Sequence, residues 1–523
     1  MTLEEKEVAI LRDAVDVAEK RKGRKTLSDP DVKNIISILE DFLKRKRLVC
    51  YGGTAINNIL PLEDQFYDKD IEIPDYDFYS PDALSDAKEL ADIYYKAGFQ
   101  EVEAKAGVHH GTYKVFVNFI PVADITYLDR PLFKRIQKDA IRVYGILYCA
   151  PNFLRMNMYL ELSRPSGDIS RWEKVLKRLI LLNKNYPLRG KQCDPDMFQR
   201  EFEKIDFKEE EKLYYIVRDS FIDQGLVFFG GYASFLYSSY MPAKQRKMFQ
   251  KTPDFDILSE EPEKSAIMLK ERLEDFDYKG IKIIKRDGIG ELIAPHYEIK
   301  VKIDKIEETV AFIYKPLACH SFNVITKGKK TIRVATIDTM LSFYFAFYYS
   351  DRDYYDENRI LCMAQYLFDV QQKNRLQQKG LLKRFSINCY GKQETLEEMR
   401  NIKSEKYKEL KSKRNSLDYE SWFLRYVPFE VKMGKEKEKE KEKEKEKEKE
   451  KEKEKEKEKE KDKIKRVNSK LKRDEKKVKS LDNKLKISRK RLKNKRNNRT
   501  KKKNKGKSKA RSIRRIGDIF NML

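Results

Sequence analysis

From Val32 the apolar positions fall at 32, 35, 36, 39, 42 and 43. That spacing predicts an amphipathic helix packed on a core, opened by Ser28-Asp29-Pro30. An unbroken apolar run, Leu48-Val49-Cys50-Tyr51, then ends in Gly52-Gly53 and reads as a buried strand stopped by glycines. Thr54 to Leu60 carries no breaker before Pro61 and predicts a short helix. Ser80-Pro81 opens another helix running to Tyr95, strand-like runs follow near 100–105, 113–120 and 122–128, and 151–188 turns helical. Residues 3–22 predict a charged amphipathic helix at the N-terminus.

The same order then returns. A helix over Glu209–Gln224 leads into Leu226-Val-Phe-Phe-Gly230-Gly231, followed by Pro253-Asp254-Phe255-Asp256, a helix over 261–274 and strands over 281–285, 297–303 and 307–314. Gly53 to Asp75 spans 22 positions and Gly231 to Asp254 spans 23. Self-similarity of this kind predicts an internal duplication. The expected fold class is α/β (α+β): two tandem modules, each a mixed sheet with flanking helices, with helical segments between and after them. The expected boundaries are an N-terminal helix 1–27, a first module with its following helical segment 28–190, a second module 191–330, a helical region 331–430 and a low-complexity tail 431–523. The aromatic-rich stretch Met340–Tyr349 reads as packed core, with stacking on RNA bases as the other use of its rings.

Two features of the first copy carry candidate chemistry. Glycines at a strand-to-helix turn let a backbone approach a phosphate, and the helix N-terminus presents free N–H groups to it; by itself such a pair is most often only a turn. Asp75 and Asp77, in Pro74-Asp75-Tyr76-Asp77-Phe78, are two apart and on a strand share one face. Two adjacent carboxylates repel and are costly to hold ionised without a cation, whereas hard divalent ions take oxygen ligands. An isolated pair of this kind also fits a solvated acidic edge. The balance changes with Asp124, in Val122-Ala123-Asp124-Ile125, an acid interrupting an otherwise apolar strand. A phosphate cradle, two carboxylates on a stiff strand and a third nearby are what metal-assisted phosphoryl transfer requires.

Gly-Gly, about twenty residues, Asp-x-Asp and a later Asp resemble the polymerase-β-type nucleotidyltransferase superfamily. The wording Tyr51-Gly-Gly-Thr-Ala-Ile-Asn-Asn-Ile-Leu-Pro61, then Pro74-Asp-Tyr-Asp-Phe-Tyr-Ser80, then Val122-Ala-Asp-Ile-Thr-Tyr-Leu-Asp-Arg-Pro131, and later Met158 to Leu179, resembles the poly(A) polymerase catalytic subunits of poxviruses and other large nucleocytoplasmic DNA viruses. The resemblance covers roughly residues 30 to 390. It implies a polynucleotide adenylyltransferase that adds AMP from ATP to RNA 3′ ends without a template. Asp75, Asp77 and Asp124 would be catalytic and would hold two Mg²⁺ (or Mn²⁺) ions, with Gly52, Gly53 and Thr54 binding the nucleotide. It also implies an RNA 3′ end as partner, a processivity subunit or homodimer, and a virion or infected-cell cytoplasm location. Rival readings are CCA addition, uridylyl transfer or oligoadenylate synthesis on the same fold, and a non-catalytic RNA-binding scaffold.

The second copy differs where chemistry is at stake. Aligning Tyr127-Leu-Asp-Arg-Pro131 with Phe312-Ile-Tyr-Lys-Pro316 puts Thr309 opposite Asp124, with Glu307, Glu308 and Asp304 close by and a one-residue slip open. That module is expected to be degenerate, packing or binding RNA. After the first copy, Arg171, Lys174, Lys177 and Arg178 give a basic helix face, either solvated or turned to phosphate. His109 and His110 precede Gly111 in an expected surface turn.

Composition adds three bounds. The chain has 523 residues, enough for two or more domains. Its formal charge of +27 is uneven: 463–523 carries 27 Lys and Arg against 4 acids, 435–462 balances 14 with 14, and 1–434 holds 72 against 68. The six cysteines are scattered with no C-x-x-C, which excludes a zinc signature and predicts reduced thiols in a soluble intracellular protein. The longest apolar run, around Phe343–Tyr349, is too short to span a bilayer. The Lys-Glu run cannot bury a core and is expected to be disordered, and the polycation after it suits phosphate backbones or an import signal. Deleting 435–523 is expected to weaken RNA binding mainly at low salt and to spare single-nucleotide addition, read by filter binding across a salt series.

Overall fold

The computed structural model describes most of residues 2–18 and then 29–68, 74–194, 207–241, 246, 255–290, 292–303, 306–352, 354–431, 461 and 463–491. Helix α1 (Pro30–Lys46) starts where expected: the Asp29 carboxylate accepts from the Asp31 N–H at 2.9 Å and caps it. Its buried stripe is Val32, Ile35, Leu39, Phe42 and Leu43. This stripe lies on a sheet whose second strand alternates: Tyr76, Phe78 and Ser80 are buried while Asp77 and Tyr79 are only half-buried. One face of the sheet is therefore committed to core, and the opposite face is left for polar side chains.

The first copy comprises β1 (Val49–Tyr51), α2 (Gly52–Ile59), β2 (Tyr76–Ser80), α3 (Ala83–Lys96), β3 (Val102–Ala106), β4 (Thr112–Val117), β5 (Ile120–Tyr127), α4 (Arg130–Asp139), β6 (Ile141–Val143), β7 (Ile146–Tyr148), α5 (Pro151–Leu162) and α6 (Trp172–Asn185). The second comprises α7 (Phe207–Asp223), β8 (Val227–Phe229), α8 (Gly230–Tyr237), β9 (Phe255–Leu258), α9 (Pro262–Asp275), β10 (Lys282–Arg286), β11 (His296–Ile303), β12 (Ile306–Tyr314), β13 (His320–Lys327), β14 (Lys330–Ala335), α10 (Ile337–Tyr348) and α11 (Glu357–Lys373). After them come β15 (Cys389–Tyr390), α12 (Leu396–Leu410), α13 (Leu417–Phe423) and β16 (Arg425–Tyr426).

Two eight-stranded mixed sheets result, ordered β16-β3-β4-β5-β2-β1-β7-β6 and β10-β11-β12-β9-β8-β14-β13-β15. Apart from the added strands β16 and β15, the orders match position by position. The directions match too. β1–β2 and β8–β9 are antiparallel, β2–β5 and β9–β12 parallel, β1–β7 and β8–β14 parallel. The duplication read from the sequence is thus a duplication of topology.

It also runs further than the sequence indicated. The hairpins β6–β7 and β13–β14 had no place among the expected strands, and the expected boundary at residue 330 falls at the turn of the second. Their strands are short or exposed at one end, turning through Tyr144-Gly145 and Gly328 at positive φ. β7 and β14 join the sheets by parallel pairing with strands about a hundred residues upstream, which no local pattern announces. Nor is 331–430 purely helical, since it includes most of β14 with β15 and β16. By element order, α5–α6 in the first copy correspond to α10–α11 in the second.

Helices α5 and α10 pack on each other and join the two copies. Tyr159 stacks on Phe345 at 6.3 Å between ring centres and Phe153 meets Tyr349 edge-on at 5.1 Å. Helix α10 is buried on all sides from Ile337 to Phe347, which is how an apolar-all-round helix reads when it lies inside a core. The aromatic run is therefore core. The expectation of reduced thiols is corrected: Cys193 is bonded to Cys362 and Cys319 to Cys389, with Cα separations of 5.4 and 5.2 Å, while Cys50 and Cys149 are free and buried. Spacing could not show this, because each pair is separated by 70 residues or more.

Residues 1–431 form one compact unit and 432–523 a second. Within the second, 463–491 is helical with its side chains exposed; the Lys-Glu run and 492–523, where disorder was expected, lie outside the described residues. Phe345→Ala is expected to destabilise the first unit by about 3–5 kcal/mol, the usual cost of emptying a buried aromatic site. The check is a lowered urea midpoint; a change below about 1 kcal/mol would mean that the two copies do not share a core.

Candidate active site

Strand register brings two of the three aspartates, Asp77 and Asp124, together. β2 runs parallel to β5 with Asp77 opposite Asp124, and β1 runs antiparallel to β2 with Tyr51 opposite Asp77. The Asp77 and Asp124 side chains lie on the sheet face away from α1, by the alternation described above. Asp75 precedes the strand and is exposed; its backbone carbonyl accepts from Thr54 Oγ1 at 2.6 Å. The buried Thr54 hydroxyl thus anchors the aspartate segment.

Gly52 is required by close approach as well as conformation. Its φ is +74°, and a Cβ there would stand 2.5 Å from Asp77 Oδ2. At Gly53 a Cβ would stand 2.5 Å from the Tyr67 hydroxyl and 2.9 Å from Arg178 Nη1. Helix α2 starts at Gly52 without a side-chain cap, so its first N–H groups point out of the turn beside the aspartates.

The electrostatics follow from the geometry. Burial first, then the Asp75 and Asp124 charges, push the Asp77 carboxyl up to about 7, with Lys114 and Arg171 opposing. Asp75 is exposed as a residue, but the partial desolvation of its carboxyl and then the Asp124 charge raise its pKa, opposed by Lys114 and Lys174. Asp124 Oδ2 accepts a charge-assisted hydrogen bond from Lys114 Nζ, its cross-strand neighbour on β4. Tyr51 closes the floor: its hydroxyl bonds Thr126 Oγ1 at 2.9 Å and its ring stacks on Tyr79 at 4.1 Å.

Of the basic face on α6, Arg178 turns to the site. Its guanidinium lies 4.8 Å from the Phe66 ring centre and donates to the Tyr67 hydroxyl at 2.6 Å. Arg171 pairs with Glu161 at 3.2 Å and Lys177 with Glu173 at 2.6 Å. Lys114 and Tyr67 escaped the sequence reading. Lys114 alternates with the buried Tyr113 and Val115 in the strand-like run near 113–120, but which acid it would face is set only by the β4–β5 register. His110 packs against Trp422 at 4.1 Å on the surface, as a turn residue should.

The donor set suits a hard divalent cation: three carboxylate groups, two of them held above the ordinary carboxylate range, with charge that a cation would relieve. Among the described residues no three His, Cys, Asp or Glu side chains are already gathered closely enough to hold a metal ion. The Lys114 ammonium takes the attraction that a cation would supply to Asp124.

In the second copy the register corrects the alignment. Asp256 stands opposite Phe312, so Phe312 and not Thr309 occupies the place of Asp124. Glu298, opposite Phe312 on β11, occupies that of Lys114. Thr309 lies further back on β12 and donates to Glu298 at 2.6 Å. Gly230 repeats Gly52, with φ of +62° and no room for a Cβ against Asp256. Asp254 and Asp304 lie outside the described residues.

Among the described residues a glycine turn faces an aspartate strand in a mixed sheet twice, and the residue opposite that aspartate on the parallel strand is an acid, Asp124, only in the first copy. Residues 37–168 match the family model described as poly(A) polymerase catalytic subunit, which bears out the resemblance drawn from the motifs. A protein of Acanthamoeba polyphaga mimivirus assigned as a poly(A) polymerase catalytic subunit is 31% identical over 217 residues, 39% of this chain and 36% of its own length. One of African swine fever virus (strain Badajoz 1971 Vero-adapted), with the same assignment, is 31% identical over 178 residues, 33% and 36% of the two chains. The chain thus spans little more than a third of the length of these curated relatives. The Megavirus polyadenylate synthase structure shares the fold with a TM-score of 0.67 at 21% identity, covering 82% of this chain and 86% of that one.

The raised Asp77 pKa has a consequence for stability. A carboxyl whose folded pKa lies above its unfolded value contributes stability fully below the unfolded pKa and loses it as pH rises through the folded one. In metal-free buffer this contribution should therefore be complete below about pH 4 and gone above about 7. Asp77→Asn should flatten that fall, so that at pH 8 the variant melts higher than the parent. Equal pH profiles for the two, measured by calorimetry in EDTA, would contradict the placement of Asp77.

Proposed function

We propose that the chain is a template-independent nucleotidyltransferase that adds AMP from ATP to RNA 3′ ends, a poly(A) polymerase. The observation that carries this is the pairing of Asp77 with Asp124 across parallel strands, beside a glycine turn that cannot hold a side chain. The match of residues 37–168 to the poly(A) polymerase catalytic-subunit model supports the choice of reaction.

Asp75, Asp77 and Asp124 would hold Mg²⁺ or Mn²⁺, two ions in all, which when bound supply charge neutralisation for the phosphates and acidify the primer hydroxyl. Gly52 and Gly53 let the triphosphate approach the N–H groups of α2, whose positive end favours it. Arg178, drawn over Phe66 and Tyr67, stands beside Gly53 as a donor for the same phosphates. Thr54 keeps Asp75 in register with the strand through its carbonyl. The primer 3′ oxygen attacks the α-phosphate in line and pyrophosphate leaves, so the chain contributes positioning and a fixed field. Lys114 gives up Asp124 when the site fills.

The RNA 3′ end is the macromolecular substrate, and the basic segment 463–523 adds a phosphate-binding surface with little sequence preference. A processivity subunit or homodimer, and a virion or infected-cell cytoplasm location, are proposed from the resemblance. No helix among the described residues is long and apolar enough to cross a membrane.

The test is extension of a labelled oligo(A) primer with each nucleoside triphosphate separately, in Mg²⁺ or Mn²⁺. ATP should extend it; extension by UTP or a short fixed addition would move the assignment to uridylyl transfer or CCA addition. Asp77→Ala should reduce extension on the order of 10³-fold or more, the scale for losing a group that stabilises transition-state charge. Asp256→Ala should leave most of it. Equal losses from both would overturn the division of labour between the copies.

A further inference from the structure

The second copy keeps an open cleft where the first has its candidate active site. It lies between the glycine turn and the first turns of α11, lined by Gly231, Asp256, Phe312, Tyr354, Asp356, Arg359 and Met363 among others. Its position is that of the first site by two independent correspondences. Asp256 faces Gly230 as Asp77 faces Gly52. Arg359 is the third residue of α11 as Lys174 is of α6, and Met363 is the seventh as Arg178 is. Arg178 abuts Gly53 and Met363 shares the cleft with Gly231, so the counting agrees with the contacts.

The substitutions follow one direction. The third carboxylate has become Phe312 and the second cation Met363, while the glycine turn and one cation, Arg359, remain. The Asp256 and Asp356 carboxylates stay in the lining, and much of the remaining wall is aromatic. Phe312 and Tyr354 lie parallel with centres 5.9 Å apart, Tyr354 meets Tyr355 at 4.5 Å, and Tyr355 stacks on Phe347 at 4.5 Å. Tyr354 is half-buried and lines the cleft, with its hydroxyl 3.4 Å from His296 Nε2 and the Arg286 guanidinium 5.7 Å from its ring centre. Free volume is about 50 Å³, room for roughly four waters, with the remainder open to solvent. A nucleotide cannot be enclosed there, but the edge of a base can lie on the aromatic surface with its phosphate toward Arg359 and the glycine turn.

We propose that this cleft binds a purine nucleotide without a divalent cation, through stacking on Tyr354 and a phosphate contact to Arg359. The choice of ligand rests on the reading of the first copy as a nucleotide site; the loss of metal dependence rests on the Phe312 register alone. The nucleotide can come from free ATP or from the adenylate chain of an RNA, and both present a purine ring and a phosphate.

The full-length chain carrying Asp75→Asn and Asp77→Asn, which disables the first site, is titrated in EDTA at about 150 mM salt with radiolabelled ATP and separately with the trinucleotide ApApA. Circular dichroism and melting confirm that each variant folds. Saturable binding of either probe is expected. Added Tyr354→Ala should weaken it about tenfold, the effect of removing one stacking ring, and Arg359→Ala should weaken ATP binding more than adenosine binding. Preference for ApApA over ATP assigns the RNA as the source, and the reverse assigns free nucleotide. No saturable binding of either probe, or binding indifferent to both substitutions, overturns the proposal. Primer extension by the unmodified chain in Mg²⁺ is read separately, so a failure of the polymerase reading is distinguishable from a failure of this one.

Discussion

Two carboxylates facing each other on one side of a sheet, with a third just before the strand, are an electrostatic problem before they are a site. Asp77 and Asp124 face each other because two parallel strands are in register, and Asp75 is tied in by the Thr54 hydroxyl. The backbone hydrogen bonds and the apolar packing of Tyr76, Phe78 and Ala123 on the opposite side fix that register, since a slip of one residue would turn core residues to solvent. The core thus holds the acids together against their repulsion. The protein answers the strain locally by raising the Asp77 pKa and lending Asp124 the Lys114 ammonium.

The glycine turn belongs to the same constraint. Gly52 lets the chain reverse at positive φ from β1 into α2 while the Asp77 carboxylate occupies the space where a side chain would stand. The N–H end of α2 and the acidic strand are therefore close neighbours, an arrangement that places donors for phosphate and ligands for cations within one small region.

The second copy isolates what the fold needs from what the chemistry needs. It retains strand order, the tight glycine and, in sequence, both aspartates of the pair, Asp254 and Asp256. It replaces the acid on β12 with Phe312 and the lysine on β11 with Glu298, both positions free to vary once no cation is to be held. Packing between α5 and α10 then makes the altered copy a structural partner of the other, sharing one core across both sheets.

Much was legible along the chain. Helical spacing in α1, the apolar run into Gly52-Gly53, the Asp75/Asp77 alternation and the recurrence of the whole order near residue 226 are local signals, written by backbone periodicity and glycine's conformational range. They sufficed for two α/β modules and for the acids worth testing. What they did not contain were relations between distant segments. The hairpins at 141–148 and 320–335, the identity of Phe312 as the counterpart of Asp124, the Lys114–Asp124 pair, the swing of Arg178 to Gly53 and the two disulfides all depend on which strand lies beside which and in what register. That is decided by burying both sheets and α10 together, a free energy that belongs to the assembled core and to no single stretch of residues.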